Sequence, residues 1–140
     1  MNCLVIAELE DGSLNRPSLA TIAAAKKISE AIDVLIFESD SKNNVSKVQF
    51  VNKVIYSDCL EGDLLAENIV PLIIKLSNNY SHILAPSGTF SKNFMPRVAA
   101  LLDIQQISDV INILDTDTFE RPIYAGNAIA KVKSMDKKKI

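Results

Sequence analysis

Tryptophan is absent from these 140 residues, histidine occurs once, cysteine twice and glycine four times. Each scarcity removes a class of chemistry. Gly12, Gly62, Gly88 and Gly126 lie too far apart for a G-x-G-x-x-G or Walker A loop. Both loops need glycine for close backbone approach to phosphate. One histidine and two isolated cysteines leave no transition-metal cluster. Cys3 and Cys59 form no C-x-x-C pair and no disulfide framework. Each flanks an apolar segment and reads as a small buried thiol in a reducing compartment. The apolar run from Ile69 to Leu76 is interrupted by Pro71 and Lys75. Nothing therefore approaches the ~20 apolar residues that cross a bilayer, and no membrane-embedded segment is expected. No leader is read ahead of the first apolar segment, which Met1 and Asn2 enter directly. A cytoplasmic protein is the expectation. Lysines outnumber arginines 12 to 3, and asparagine and isoleucine are plentiful, a composition that points to a bacterial source.

Charge is modest and unevenly placed. A net −2 argues against a general nucleic-acid binder. Residues 1–130 carry 10 basic and 16 acidic side chains, whereas residues 131–140 hold five lysines and Asp136. That tail reads as a solvated chain end rather than an anionic docking patch. The length suits a single domain over residues 1–140, long enough to bury a core without staples.

What is present is an alternation of short apolar runs with longer amphipathic ones. Cys3–Leu9 reads as a buried strand. Asp11, Gly12, Asn15 and Pro17 make a loop, and Ser18 is the expected N-cap of a helix to about Ala31. In that helix Ile22, Ala25, Ile28 and Ile32 would face a sheet. Val34–Glu38 and Val54–Tyr56, the latter extended to Lys53, are the next strands. Asp63 is the expected cap of a helix to about Asn78, whose stripe is Leu65, Ile69, Leu72, Ile73 and Leu76. Pro71 should bend that helix or remove one hydrogen bond. His82–Ala85 is the fourth strand, Lys92–Leu102 a helix and Ile107–Leu114 a fifth strand. The alternation predicts a parallel sheet with helices on both faces. Phe119–Tyr124 and Ala128–Lys133, joined around Gly126 and Asn127, predict an antiparallel hairpin near the sheet edge.

Four places carry residue types suited to chemistry. His82 sits at the start of its strand, while active edges of open α/β sheets lie at the carboxyl ends. A hydrolase pairing it with Ser87 or Ser91 is therefore opposed by topology, and His82 reads as a structural or surface residue. Asp115 and Asp117 lie in a turn-like Asp-Thr-Asp-Thr stretch, where turn chemistry accounts for them better than a hard cation. Ser87-Gly88-Thr89, with Ser91 following, offers hydroxyls and backbone N–H groups to an anion, although plain helix capping explains the same residues. Arg121 to Asn127 puts Arg, Tyr and Asn around a hairpin, a mix suited to a partner surface; the plain alternative is an ordinary hairpin with Arg121 exposed.

Longer strings are more specific. Val5–Glu8 (VIAE), Ala23–Lys27 (AAAKK), Ala66–Ile73 (AENIVPLI), Tyr80–Pro86 (YSHILAP), Pro96–Asp103 (PRVAALLD), Ile107–Val110 (ISDV) and Arg121–Ile129 (RPIYAGNAI) occur in this order. Together they span nearly the whole chain, which resembles the N-terminal domain of the alpha subunit of electron transfer flavoproteins. The resemblance implies a three-layer, mostly parallel doubly wound sheet of the adenine-nucleotide alpha hydrolase-like type. It implies a heterodimer with a beta subunit and one FAD. That FAD takes electrons from acyl-CoA and other dehydrogenases and passes them to a quinone oxidoreductase. In such a protein this domain is scaffold, without catalytic residues of its own. FAD is held mostly by a C-terminal domain whose binding segments have no counterpart here, so no flavin is expected on these residues. Ser87, Gly88 and Thr89 match a nucleotide loop that the resemblance implies is vestigial. Arg97, Arg121, Tyr124 and Asn127 are the expected partner-facing residues. The family usually places a full helix between Glu38 and Lys53, where this chain has a short Asn/Ser-rich stretch that predicts a stub. The competing expectation is a stand-alone adenine-nucleotide-binding module of universal-stress type, disfavoured by the scarcity of glycine.

Overall fold

In the computed structural model, which describes residues 1–57 and 64–140, Asn2–Ile6 form strand β1. Cys59, Gly62 and the cap expected at Asp63 lie outside the described residues. The side chains of β1 divide between two cores. Leu4 and Ile6 enter one, Cys3 and Val5 the other. This alternation is what a strand buried on both faces requires. After a two-residue hairpin, β2 (Leu9–Glu10) and β3 (Ser13–Leu14), comes α1 (Arg16–Ala25). Asp11 and Gly12 both take positive φ in that hairpin, a turn for which Asp-Gly is suited.

The chain then runs through β4 (Ala31–Ile36), the short helix α2 (Lys42–Val45), β5 (Val51–Tyr56), α3 (Ala66–Ser77), β6 (His82–Leu84) and α4 (Thr89–Leu102). The four longer strands make one parallel sheet in the order β5-β4-β1-β6. Ile22, Ala25 and Val45 cover one face with Val34 and Ile36; Ile69, Ile73, Phe94 and Val98 cover the other with Leu35 and Ile83. The fold is thus a three-layer α/β arrangement. Strand order reverses between β1 and β6, so the switch point lies between their carboxyl ends. The expected stub between Glu38 and Lys53 is α2, four residues long.

Several expectations are corrected. Ser18 is not a cap: Asn15 is, its Oδ1 accepting from the Ser18 backbone N–H at 2.9 Å, with Pro17 in the first turn. The helix also stops at Ala25, so Ile28 is buried beyond its end and Ile32 lies in β4. Pro71 lies inside α3 on its exposed side, where its missing N–H removes one helical bond as expected, and Leu65 holds the cap position. The helix after β6 begins at Thr89, three residues earlier than expected, because Gly88 leaves the β region directly into it.

The fifth parallel strand does not form. Of Ile107–Leu114 only Asn112–Ile113 (β7) is extended, and it pairs antiparallel with β8 (Thr118–Ile123). β8 pairs in turn with β9 (Ala128–Lys133), giving a separate three-stranded sheet. The hairpin is present, but it joins β7 and not the parallel sheet. The edge of β6 is met instead by the lysine-rich tail. Lys139 accepts from the Ile83 N–H and donates to the Ser81 carbonyl, both at 2.9 Å, and Ile140 is buried. A strand edge carries unpaired backbone groups, and pairing them outweighs the solvation of this part of the tail.

Candidate functional site at the switch point

Glu8 follows β1 directly and is held on every side. Its N–H donates to Ser18 Oγ at 2.8 Å, and its carbonyl accepts from Ser18 Oγ at 3.0 Å and from the Asn15 N–H at 3.2 Å. This explains Ser18: a buried hydroxyl that ties α1 to the end of β1. The Glu8 carboxylate then reaches across the switch point. Oε2 accepts from Asn15 Nδ2 at 3.3 Å, and Oε1 accepts from Ser91 Oγ at 3.1 Å.

On the far side of the crevice stands the turn Ser87-Gly88-Thr89. Gly88 has ordinary β-region dihedrals, so its backbone conformation does not demand glycine. Space is tight instead: a Cβ there would lie 3.2 Å from Glu8 Oε1, so the carboxylate would have to give by a few tenths of an ångström. Ser87 Oγ donates to Asp109 Oδ1, and Lys92 Nζ lies 2.9 Å from the same oxygen. Hydrogen bonds from Ser87 and Lys92, with the positive charges of Lys92 and Arg121, hold the Asp109 carboxyl below the usual carboxylate range. Asp109 takes φ of 56°, a left-handed conformation that aspartate tolerates better than most residues.

The hydroxyls of Ser87 and Ser91 and the ammonium group of Lys92 are therefore already engaged by the chain's own carboxylates, while Thr89 is exposed at the start of α4. A cleft of about 470 Å³ opens beside it, with Ala24, Leu84, Met95, Ile113 and Phe119 among its apolar walls. Its polar wall includes Ser87, Ser91, Lys92 and Asp109. Two carboxylates, Glu8 and Asp109, thus stand among the donors of this turn.

Sequence reasoning found the turn and missed its partners. Glu8, Asn15 and Asp109 carry no motif. The signal available was positional, since a residue immediately after the first strand of such a sheet falls at the switch point.

His82 is buried at the opposite end of β6, as its place at the strand start predicts. Its Nε2 lies 2.6 Å from the Thr116 carbonyl and its Nδ1 2.9 Å from Ser81 Oγ. The carbonyl can only accept, so the neutral ring carries its proton on Nε2. Neither Ser87 nor Ser91 is brought to it; their hydroxyls go to Asp109 and Glu8. Asp115 and Asp117 form the β7–β8 turn: Asp115 Oδ1 accepts from the Thr116 N–H at 2.6 Å, and Asp117 from Thr118 Oγ1 at 2.8 Å. Among the described residues no group of three or more His, Cys, Asp or Glu side chains could hold a metal ion. Nor is any described helix long and apolar enough to cross a membrane.

The residues expected to face a partner do not form one contact cluster. Arg97 is exposed on α4 and pairs with Glu67 of α3 at 3.1 Å. Arg121 is half-buried in β8, not exposed, and its Nε is shielded from solvent without a hydrogen-bond partner. Tyr124 and Asn127 occupy the tip between β8 and β9. Tyr124 is 79% exposed, and Ile129 beyond it is 61% exposed.

Comparison with known proteins agrees with this architecture. The family described as electron transfer flavoprotein domain matches residues 3–140. The electron transfer flavoprotein subunit alpha of Pseudomonas aeruginosa is 49% identical over 138 residues, covering 96% of this chain and 45% of that protein. The subunit alpha of Paracoccus denitrificans is 49% identical over 144 residues, covering all of this chain and 47% of that protein. The mitochondrial subunit alpha of Dictyostelium discoideum is 47% identical, over 99% of this chain and 42% of its own length. The chain thus spans less than half the length of these relatives. It belongs to the electron transfer flavoprotein family, and what it matches is the N-terminal domain of the alpha subunit.

Proposed function

We propose that this domain is an architectural part of an electron carrier, without substrate turnover of its own. In the intact protein, FAD supplies the redox chemistry. Electrons reach it from acyl-CoA and other dehydrogenases and leave to a quinone oxidoreductase. The domain packs against a beta subunit and positions the flavin-bearing part of the alpha subunit. The observation that carries this reading is the switch-point crevice. It is the natural ligand position of the fold, and here Ser87, Ser91 and Lys92 are bonded to the chain's own Glu8 and Asp109. The same observation speaks against a stand-alone adenine-nucleotide module. The hairpin tip supports a docking role, because Tyr124 and Ile129 stand out from a small separate sheet. Arg121, Tyr124 and Asn127 are the proposed beta-subunit contacts there, and Arg97 a further contact on α4. A bacterial cytoplasmic setting follows from the same reading.

Co-expression with a beta subunit of the family tests this. The two chains should co-elute in size-exclusion chromatography. Tyr124→Ala and Arg121→Glu should weaken the complex while the circular dichroism of the domain stays unchanged. Separate elution at micromolar concentrations would reject the docking role. Flavin absorbance in the purified domain alone would reject the purely architectural one.

A further inference from the structure

The crevice between β1 and β6 presents a contradiction. Its topology and side chains suit an anion: the hydroxyls of Ser87 and Ser91, the ammonium of Lys92, and the open N-terminus of a 14-residue helix with no side-chain cap. Yet it is lined by two acids drawn from elsewhere in the chain. Glu8 comes from the end of β1 and takes Ser91 at 3.1 Å; Asp109 comes from the segment after α4 and takes Ser87 and, at 2.9 Å, Lys92. Glu8 has little freedom to leave, since Ser18 and Asn15 fix its backbone and Asn15 Nδ2 binds its second oxygen. Gly88 leaves room beside that carboxylate, a Cβ there lying 3.2 Å from Oε1.

We propose that Glu8 and Asp109 are specificity-determining residues that act as internal anions and close the switch-point crevice to phosphate-bearing ligands. The two carboxylates satisfy donors that a phosphate would otherwise use, and their charge repels a phosphate that approaches. The crevice is therefore shut by charge on a fold that retains the donor groups. This inference concerns small-ligand binding to the domain itself. It stands or falls separately from docking to a beta subunit, which its test does not read.

The test is calorimetric titration of the 140-residue chain with AMP and with adenosine at low salt. The parent chain should give no detectable AMP binding at millimolar ligand. Glu8→Gln should gain AMP binding, and Glu8→Gln with Asp109→Asn should bind with a Kd at least tenfold below the millimolar limit set by the parent. The gain should shrink as salt is added. Adenosine, which lacks the phosphate, should gain nothing. Ser91→Ala removes a bond to Glu8 but leaves its charge, and should also gain nothing. Three results would overturn the proposal: AMP binding in the parent as tight as in the variants, an equal gain for adenosine, or a folded double variant with no gain. Should Glu8→Gln fail to fold, Asp109→Asn, at a half-exposed position, decides the matter by the same titration.

Discussion

The phenolic oxygen of Tyr80 lies 2.6 Å from Asp33 Oδ2, joining the turn after α3 to β4 across the sheet end opposite the crevice. Asn52 Nδ2 donates to the other oxygen of Asp33 at 2.9 Å, so one carboxylate ties together three segments. Tyr80→Phe should destabilise the domain by about 1–2 kcal/mol in urea unfolding, the usual cost of leaving such an acceptor short of a donor. Burial foremost, then the hydrogen bond to Asp33 and its negative charge, raise the Tyr80 pKa well above the ordinary tyrosine value. The raised pKa favours the protonated phenol in the fold. That contribution is whole below about pH 10 and is lost as pH climbs further. The alkaline decline in stability should therefore be shallower in Tyr80→Phe than in the parent; equal slopes would discount the pair.

His82 gives the opposite limb. Burial is the main influence on its ring and lowers its pKa; the bond to the Thr116 carbonyl opposes this, and the charge of Lys139 adds to it. The fold thus prefers the neutral ring, and the unfolded chain takes up a proton more readily. That contribution is present above about pH 6.5 and is lost as pH falls below it. Thermal unfolding should show the parent losing stability between about pH 7 and pH 5 more steeply than His82→Gln. The variant should be less stable at neutral pH, since Ser81 and Thr116 lose the imidazole that bridges them. A variant with the same acid limb would assign the loss to other groups.

How far the sequence foretold this fold depends on which force dominated each segment. β1, β4 and β6 were legible because a strand buried on two faces must be apolar along its length, as Cys3–Ile6 is. The α3 stripe is legible from its helical spacing: Ile69 and Ile73 are buried and Leu72 and Leu76 pack against the same core, but Leu65, expected on that stripe, is an exposed cap residue. Ser18 misled because a serine before a helix serves equally as a cap or as a tertiary hydrogen-bond donor, and only Glu8 decides between them. Ile107–Leu114 misled because Ile107 and Ile113 pack in the second core while only Asn112 and Ile113 form a ladder, and that with β8 rather than the parallel sheet. The turn at Ser87 was found, but the acids that occupy its donors come from sites 83 and 22 residues away in the chain. No local pattern reports such pairings.

The lysine tail was the clearest misreading, and it can be tested. Lys138 Nζ donates to the carbonyls of Ser77 and Tyr80, groups left open where α3 ends. Burial lowers the pKa of its ammonium, which marks how far the side chain has withdrawn from water. Charge composition alone reads such a residue as solvated, yet a lysine stem can lie along the protein while its head finds carbonyls. Lys138→Ala should cost about 1–2 kcal/mol, because the carbonyls of two buried residues, Ser77 and Tyr80, lose a charged donor. Lys137, exposed beside it, serves as the control, and Lys137→Ala should stay within about 0.5 kcal/mol of the parent. Equal effects of the two substitutions would return the tail to solvent.

The hairpin tip stores conformational strain in the open. Tyr124, Ala125 and Gly126 take φ of 51°, 54° and 88°, three consecutive residues in the left-handed region. Only the last is a glycine, and a left-handed non-glycine residue costs roughly 1–2 kcal/mol. Ala125→Gly should relieve part of that cost, offset by the added freedom of glycine in the unfolded chain, for a net gain of up to about 1 kcal/mol. Gly126→Ala should lose about 1 kcal/mol. Since nothing lies within 4 Å of a Cβ at Gly126, that loss isolates the backbone term from any clash. Tyr124→Ala should leave stability nearly unchanged, because the ring is exposed and its strain is in the main chain. These effects separate folding from docking. If the tip is held in this shape to present Tyr124, Ala125→Gly should raise the melting temperature of the free domain while weakening its complex with the beta subunit. A variant that gains stability and binds as before would show that the strain serves the hairpin alone.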